Sequence, residues 1–386
     1  MKRFIFSVLK SDVARSSGMI FLATLVANLI VLLVDIFISN VLSPSDFGIF
    51  RTLFYLFTFM PLLMDLGINM TLTKYISQFR KRSKEKIGYL ISYFLRIKIV
   101  SYAILVVSIL LLKDQIALLF LNNVNLSYLV LPGALLSGFF FFNTFQNISL
   151  GFQNFKLFAL SQFLVLVISA ILGYILSFFG IFYLLLGWGL GYFIGNIFAL
   201  RFFLKKKLST KKKFDVKRIF KTFSLPLHVV YIINSIYFVI VPILSVFFSQ
   251  EAIGYFSFAF LFYFATMLIP NALSFVVMPK VSEMHGMNKL GDAKRLLSRV
   301  FLMYTPIVIL GVIFVLLASD LLFSMFFQNY LQSVVFFKAV VIMGFLFGYN
   351  VIYTYYLQGV GRIKRFALFA IIQNIILLAV SFALLS

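Results

Sequence analysis

The chain has no cysteine, two histidines (His228 and His285), one tryptophan and 11 acidic residues in 386. Without thiols there are no disulfides, thiolate nucleophiles or cysteine-held metals. Two histidines are too few for a histidine-rich metal site. No resident metal and no cofactor is therefore expected. Charge is also scarce: 12% of residues are Asp, Glu, Lys or Arg, against about 25% in soluble domains.

Apolar sequence fills the space. The chain is 62% hydrophobic, with mean hydropathy +1.06, which places it in the membrane class. Eleven apolar segments of spanning length are predicted, at 17–39, 48–72, 87–112, 126–150, 157–179, 181–204, 223–248, 253–278, 299–318, 334–357 and 364–385. They are helices, because barrel strands are about ten residues long and alternate in polarity. The first, running from Met19 to Ile38, is about 20 residues long, enough to cross a bilayer and longer than the about 7–15 of a signal peptide. Residues 1–16 ahead of it are expected to lie on the inner surface as an amphipathic helix.

The net charge of +23 gives the orientation. Of 34 Lys and Arg, Arg51, Arg96, Lys98 and Lys338 fall inside predicted spans away from their inner ends, and Lys113 falls on one side. The other 29 fall in the segments or at the helix ends on the side of the N-terminus. The positive-inside rule then puts the N-terminus in the cytoplasm. The run "KKKLSTKKKFDVKR" at 205–218 becomes a cytoplasmic loop facing anionic lipid, and no nucleic-acid partner is expected.

Shifted by 206 residues, the sequence falls on itself. "SPSDFGIFR" (43–51) meets "SQEAIGYFS" (249–257), with Ser43, Gly48, Phe50 and Phe54 on Ser249, Gly254, Phe256 and Phe260. Asp65 falls on Asn271 and Lys74 on Lys280. Segments 1–5 land on segments 7–11, which reads as an internal repeat. Six-helix units would enter the membrane the same way, as in parallel-repeat transporters. The expected architecture is an all-α polytopic membrane protein of two pseudo-symmetric six-helix bundles. These are 1–204 and 223–386, joined by the linker 205–222, with the twelfth helix absent and eleven in place.

Charges inside spans are costly and mark cavities or partners. The cations Arg51, Arg96, Lys98 and Lys338 are the candidates for holding an anionic head group, with Asn143 and Gln146 as polar lining or interhelical glue. Asp35 and Asp65 are the candidates for binding a coupling ion, H⁺ or Na⁺. Four cations against two anions suit a phosphate-bearing ligand better than a cationic drug. Pro61, Pro132, Pro226, Pro242, Pro270, Pro279 and Pro306 fall in or at the ends of helices and are expected to kink them. Gly187, Gly191 and Gly195 recur every four residues, the close-packing pattern of membrane helices. No catalytic constellation is visible, so an enzyme is not expected.

"LSPSDFGIFRTLFYLF" and "MDLGINMTLTKYIS" within 42–77, "FSLPLHVV" (223–230), "EAIGYFSFAFLF" (251–262), "IPNALSFVVMPKVSEM" (269–284) and "LQGVGRIKRF" (357–366) carry a resemblance. The chain resembles the polysaccharide-biosynthesis (Wzx-type, O-antigen) flippases of the MOP superfamily, relatives of MATE antiporters. The resemblance implies flipping of an oligosaccharide linked to a polyprenyl (pyro)phosphate carrier across the cytoplasmic membrane, by alternating access driven by an ion gradient. It also implies membrane lipids and glycan polymerases or glycosyltransferases as partners, and a cavity arginine on the phosphate, a role that carries over to Arg51. The alternatives are a MATE-like multidrug or cation antiporter, and a membrane enzyme or scaffold of glycan assembly.

Overall fold

The computed structural model describes residues 12–205 and 213–386. The expected surface helix at 1–16 and the middle of the basic linker therefore lie largely outside the described residues. Those described form helices and no strand. The helices used below are α1 (Asp12–Val41), α2 (Pro44–Leu63), α3 (Ile68–Arg82), α4 (Ile87–Leu111), α5 (Phe139–Gly151), α6 (Phe155–Ser177) and α7 (Ile181–Lys205). After the linker come α8 (Leu225–Ser235), α9 (Ile240–Ser245), α10 (Gln250–Gly286), α11 (Leu290–Phe326), α12 (Ser333–Gly359) and α13 (Ile363–Leu385). Each predicted segment falls largely on helical backbone, three of them with breaks. Among the described residues nine helices are long and apolar enough to cross a membrane, or ten if a pair bent by 51° at 216–245 is one span. The apolar stretch Ile181–Ile197 is shorter.

Three predicted single helices are broken. The segment 48–72 divides at Met64–Gly67 into α2 and α3. Pro61 removes a donor one turn before the break, and Leu66 and Gly67 both take left-handed φ, 52° and 70°. Gly67 is required there twice over: a side chain would be strained at that φ and would collide with the Ser224 carbonyl. The segment 126–150 runs as the 3₁₀ turn Val124–Val130, the short helix Gly133–Leu136 and then α5. The segment 223–248 begins in a π turn, Phe220–Ser224, and is interrupted again by a 3₁₀ turn at Ile236–Val239.

The chain falls into two compact units. The first takes the residues up to Val41 together with Thr52–Pro242; the second takes Leu42–Arg51 and Ile243–Ser386. Residues 223–242, expected to open the second bundle, thus pack in the first unit. The reason is local: Ser224 Oγ lies 2.7 Å from Thr71 Oγ1 on α3, and His228 reaches the end of α2.

In the first unit α1 packs on α6 and α6 on α7. Gly187, Gly191 and Gly195 of α7 press on Gly173, Ser169 and Val165 of α6, too closely for a Cβ. Lipid tails are as apolar as side chains, so such backbone approach is what favours helix association in a bilayer. α3 lies along α5, tied by Thr73 Oγ1 to the Asn147 carbonyl at 2.9 Å and Ser77 Oγ to the Gly151 carbonyl at 3.1 Å. In the second unit α10 packs on α12, and α12 also meets α11 and α13. Gly344 and Gly348 of α12 sit against Thr266 and Pro270 of α10.

Candidate functional site

The break between α2 and α3 leaves backbone groups without helical partners, and side chains take them up. Asp65 sits in the break. Its Oδ2 accepts from the Asn69 N–H at 3.3 Å, near the start of α3. The carbonyl of Leu63, at the end of α2, is met by His228 Nε2 at 3.0 Å. A carbonyl only accepts, so this ring nitrogen carries the proton.

The other oxygen of Asp65 holds a cation. Lys98 Nζ of α4 lies 2.7 Å from Asp65 Oδ1, and both side chains are essentially inaccessible. The same ammonium donates to Asn69 Oδ1 at 2.9 Å and to Thr144 Oγ1 of α5 at 2.5 Å. The Thr144 hydroxyl in turn donates to the Phe140 carbonyl at 3.0 Å, leaving its lone pairs for Lys98. The Phe140 ring lies 3.9 Å from Nζ. All three ammonium donors are thus used. Removing one partner of a buried pair costs about 3–5 kcal/mol, whereas replacing both by neutral groups is often tolerated. A buried pair is therefore weak evidence of a purely stabilising role.

The second buried cation, Arg51, is 2% exposed and belongs to the second unit. Its guanidinium lies 5.0 Å from the Phe47 ring and 4.9 Å from the Phe50 ring. Desolvated cation–π contacts of this kind contribute about 2 kcal/mol. Tyr330 stacks on Phe258 and meets Phe47 edge-on. Burial pushes its hydroxyl above the ordinary tyrosine range, while the Arg51 charge nearby pulls the other way.

The remaining candidates are scattered. Arg96 is exposed; two residues from Lys98 on one helix, it points to the opposite side. Lys338 pairs with Asp320 at 2.6 Å, with both side chains partly exposed. Gln146 bonds to Gln162 of α6, which joins two helices. Asn143 is half-buried, and its carbonyl accepts from Asn147. Asp35 is buried in the first unit, within electrostatic reach of Tyr192. The structure thus brings together Lys98 and Asp65 of the predicted set. It adds Asn69, Thr144 and His228. Asn69 follows Asp65 by four residues, a helical spacing visible in the sequence.

Under the 206-residue shift the charged groups have neutral counterparts. Lys98 falls on Tyr304, Asp65 on Asn271 and Arg51 on Ser257. Tyr304 donates its hydroxyl to the Phe345 carbonyl at 3.0 Å.

The fold is that of the MOP-superfamily membrane transporters. A multidrug resistance MATE family transporter, in an inward-facing conformation, superposes with TM-score 0.71 at 14% identity, over 90% of this chain and 84% of that one. A MOP superfamily transporter from Pyrococcus furiosus, described as having a binding pocket of reverse polarity, gives 0.65 at 14%, over 97% and 96%. The MATE multidrug transporter DinF-BH gives 0.63 at 21%, over 93% and 84%. No curated protein sequence matches. A model of the family described as polysaccharide biosynthesis protein matches residues 13–285. The chain belongs to that family, and with its apolar spans it is a multi-pass membrane protein.

Proposed function

We propose that the protein is a flippase that moves an oligosaccharide linked to a polyprenyl (pyro)phosphate across the cytoplasmic membrane, by ion-coupled alternating access. The observation that carries this reading is the family match over residues 13–285 on a transporter fold. The sugar-linked carrier is anionic, and among the described residues Lys98 in the first unit and Arg51 in the second are deeply buried cations, each of the chemistry that suits a phosphate. Asp65, on Lys98, is the group that fits the coupling H⁺ or Na⁺, with Asp35 as a second. The N-terminus lies in the cytoplasm in this reading, as the distribution of Lys and Arg favours. Glycan polymerases or glycosyltransferases would supply or consume the carrier on either side.

Cation export is the rival, because two of the similar structures are described as multidrug transporters. The deciding experiment reconstitutes the purified protein in liposomes with a fluorescent polyprenyl-pyrophosphate-linked sugar in one leaflet. Transfer to the other leaflet, dependent on an ion gradient, supports the proposal. Export of lipophilic cations with no glycolipid transfer overturns it.

A further inference from the structure

Asp65 occupies a place built for an anion. The Lys98 ammonium and the Asn69 N–H near the start of α3 both converge on its carboxylate, and Asn69 Oδ1 and Thr144 Oγ1 accept from the same ammonium and hold it in place. A fixed cation beside a backbone N–H at a helix start supplies the charge and the donors a phosphate would need. The carboxylate is carried on four residues of non-helical backbone with two left-handed φ values, which is the least helical point between α2 and α3. Neutral Asn271 and Tyr304 stand at the shifted positions, so the repeated unit does not depend on this pair.

We propose that Asp65 is a tethered internal competitor for the substrate phosphate, which takes its place on Lys98 during transport. The inference rests on the flippase reading and deepens it. A carboxylate displaced from Lys98 in a low-dielectric surrounding needs another cation. Binding of H⁺ or Na⁺ to Asp65 frees Lys98 for phosphate, and phosphate on Lys98 frees Asp65 for the ion. The two affinities are then linked, each raising the other by the same factor. The coupling ion and the lipid-linked sugar bind in the same step, on the two halves of one broken ion pair. Among the described residues, the titratable groups around Asp65 are Lys98 on α4, and His228 and Tyr231 on α8.

The test measures Kd for farnesyl pyrophosphate on the purified full chain in nanodiscs, with inorganic pyrophosphate as the arm without a lipid tail. Asp65→Asn is expected to bind at least about tenfold tighter than wild type and Lys98→Gln at least about tenfold weaker. Asp65→Ser, which keeps an oxygen for the start of α3, is the second variant if the amide does not fold. Wild-type affinity is expected to rise with Na⁺ or with falling pH, and Asp65→Asn to lose that dependence. His228→Gln, which keeps the donor to Leu63, is expected to retain it. Folded Asp65 variants that bind no tighter than wild type overturn the proposal, as does a wild-type affinity indifferent to both cations. Tight pyrophosphate binding by Asp65→Asn without glycolipid transfer by wild type would uphold the exchange and sink the flippase reading, so the two failures are separable.

Discussion

Gly48 and Gly254 pack backbone to backbone, and reciprocally. A Cβ on Gly48 would meet the carbonyl of Gln250, and a Cβ on Gly254 would meet the carbonyl of Pro44. Gln250 stands to Pro44 as Gly254 stands to Gly48, 206 residues on. Each segment thus offers the other the same position, the pattern of a self-complementary contact. Substituting Leu at either glycine is expected to cost about 3 kcal/mol or more through overpacking, read as a lower melting temperature in detergent. An unchanged melting temperature would contradict the close approach.

The α2–α3 break gives a second glycine test. Gly67→Ala is expected to destabilise by about 1–3 kcal/mol, from positive φ and from the Ser224 carbonyl. Gly291, in the first turn of α11, has open space where its Cβ would go. Gly291→Ala is expected to be neutral or to stabilise by about 1 kcal/mol. Thermal unfolding of the two variants side by side checks this.

The buried pair has its own signature. Lys98→Met alone is expected to cost about 3–5 kcal/mol, because it strands the Asp65 carboxylate. The double variant Lys98→Gln with Asp65→Asn is expected to recover most of that stability while glycolipid transfer stays lost. Recovery of both stability and transport would reduce the pair to a structural staple.

The helical segments and the twin glycines were legible in the sequence, because hydropathy is a local signal and a repeat shows when the letters are laid on themselves. So was the α7 glycine stripe, whose period of four shows in the letters. The break at Asp65 was not. "PLLMDLGINM" stays apolar, and membrane helices tolerate Pro and Gly without breaking. Arg96 and Lys98 read alike as intramembrane cations. Their spacing says that only one faces inward, but not which. Thr144 and Asn69 carry no charge to flag them, and the contact from Lys98 to Thr144 spans 46 residues, beyond any local pattern.

Orientation can be tested cleanly because the chain has no cysteine of its own. Ser209→Cys, in the basic linker, is expected to resist an impermeant maleimide in intact cells. Gln332→Cys, between α11 and α12, is expected to react. The opposite result would invert the topology.

Arg51 sits among Phe47, Phe50 and Tyr330, where its charge is costly to bury and its counterpart Ser257 is neutral. Arg51→Gln is expected to lower glycolipid transfer at least about tenfold, and to lose about 2 kcal/mol of stability with the cation–π contacts. Normal transfer by a folded Arg51→Gln protein would remove it from the site.

The most direct measurement is gradient-driven transfer of a fluorescent polyprenyl-pyrophosphate-linked sugar between leaflets of liposomes, with wild type beside Lys98→Gln. Rapid transfer by wild type and loss of at least about tenfold in the folded variant is the predicted result. Equal transfer by the two proteins, or none above protein-free liposomes, would contradict the assignment of the buried Lys98 as the carrier's phosphate contact.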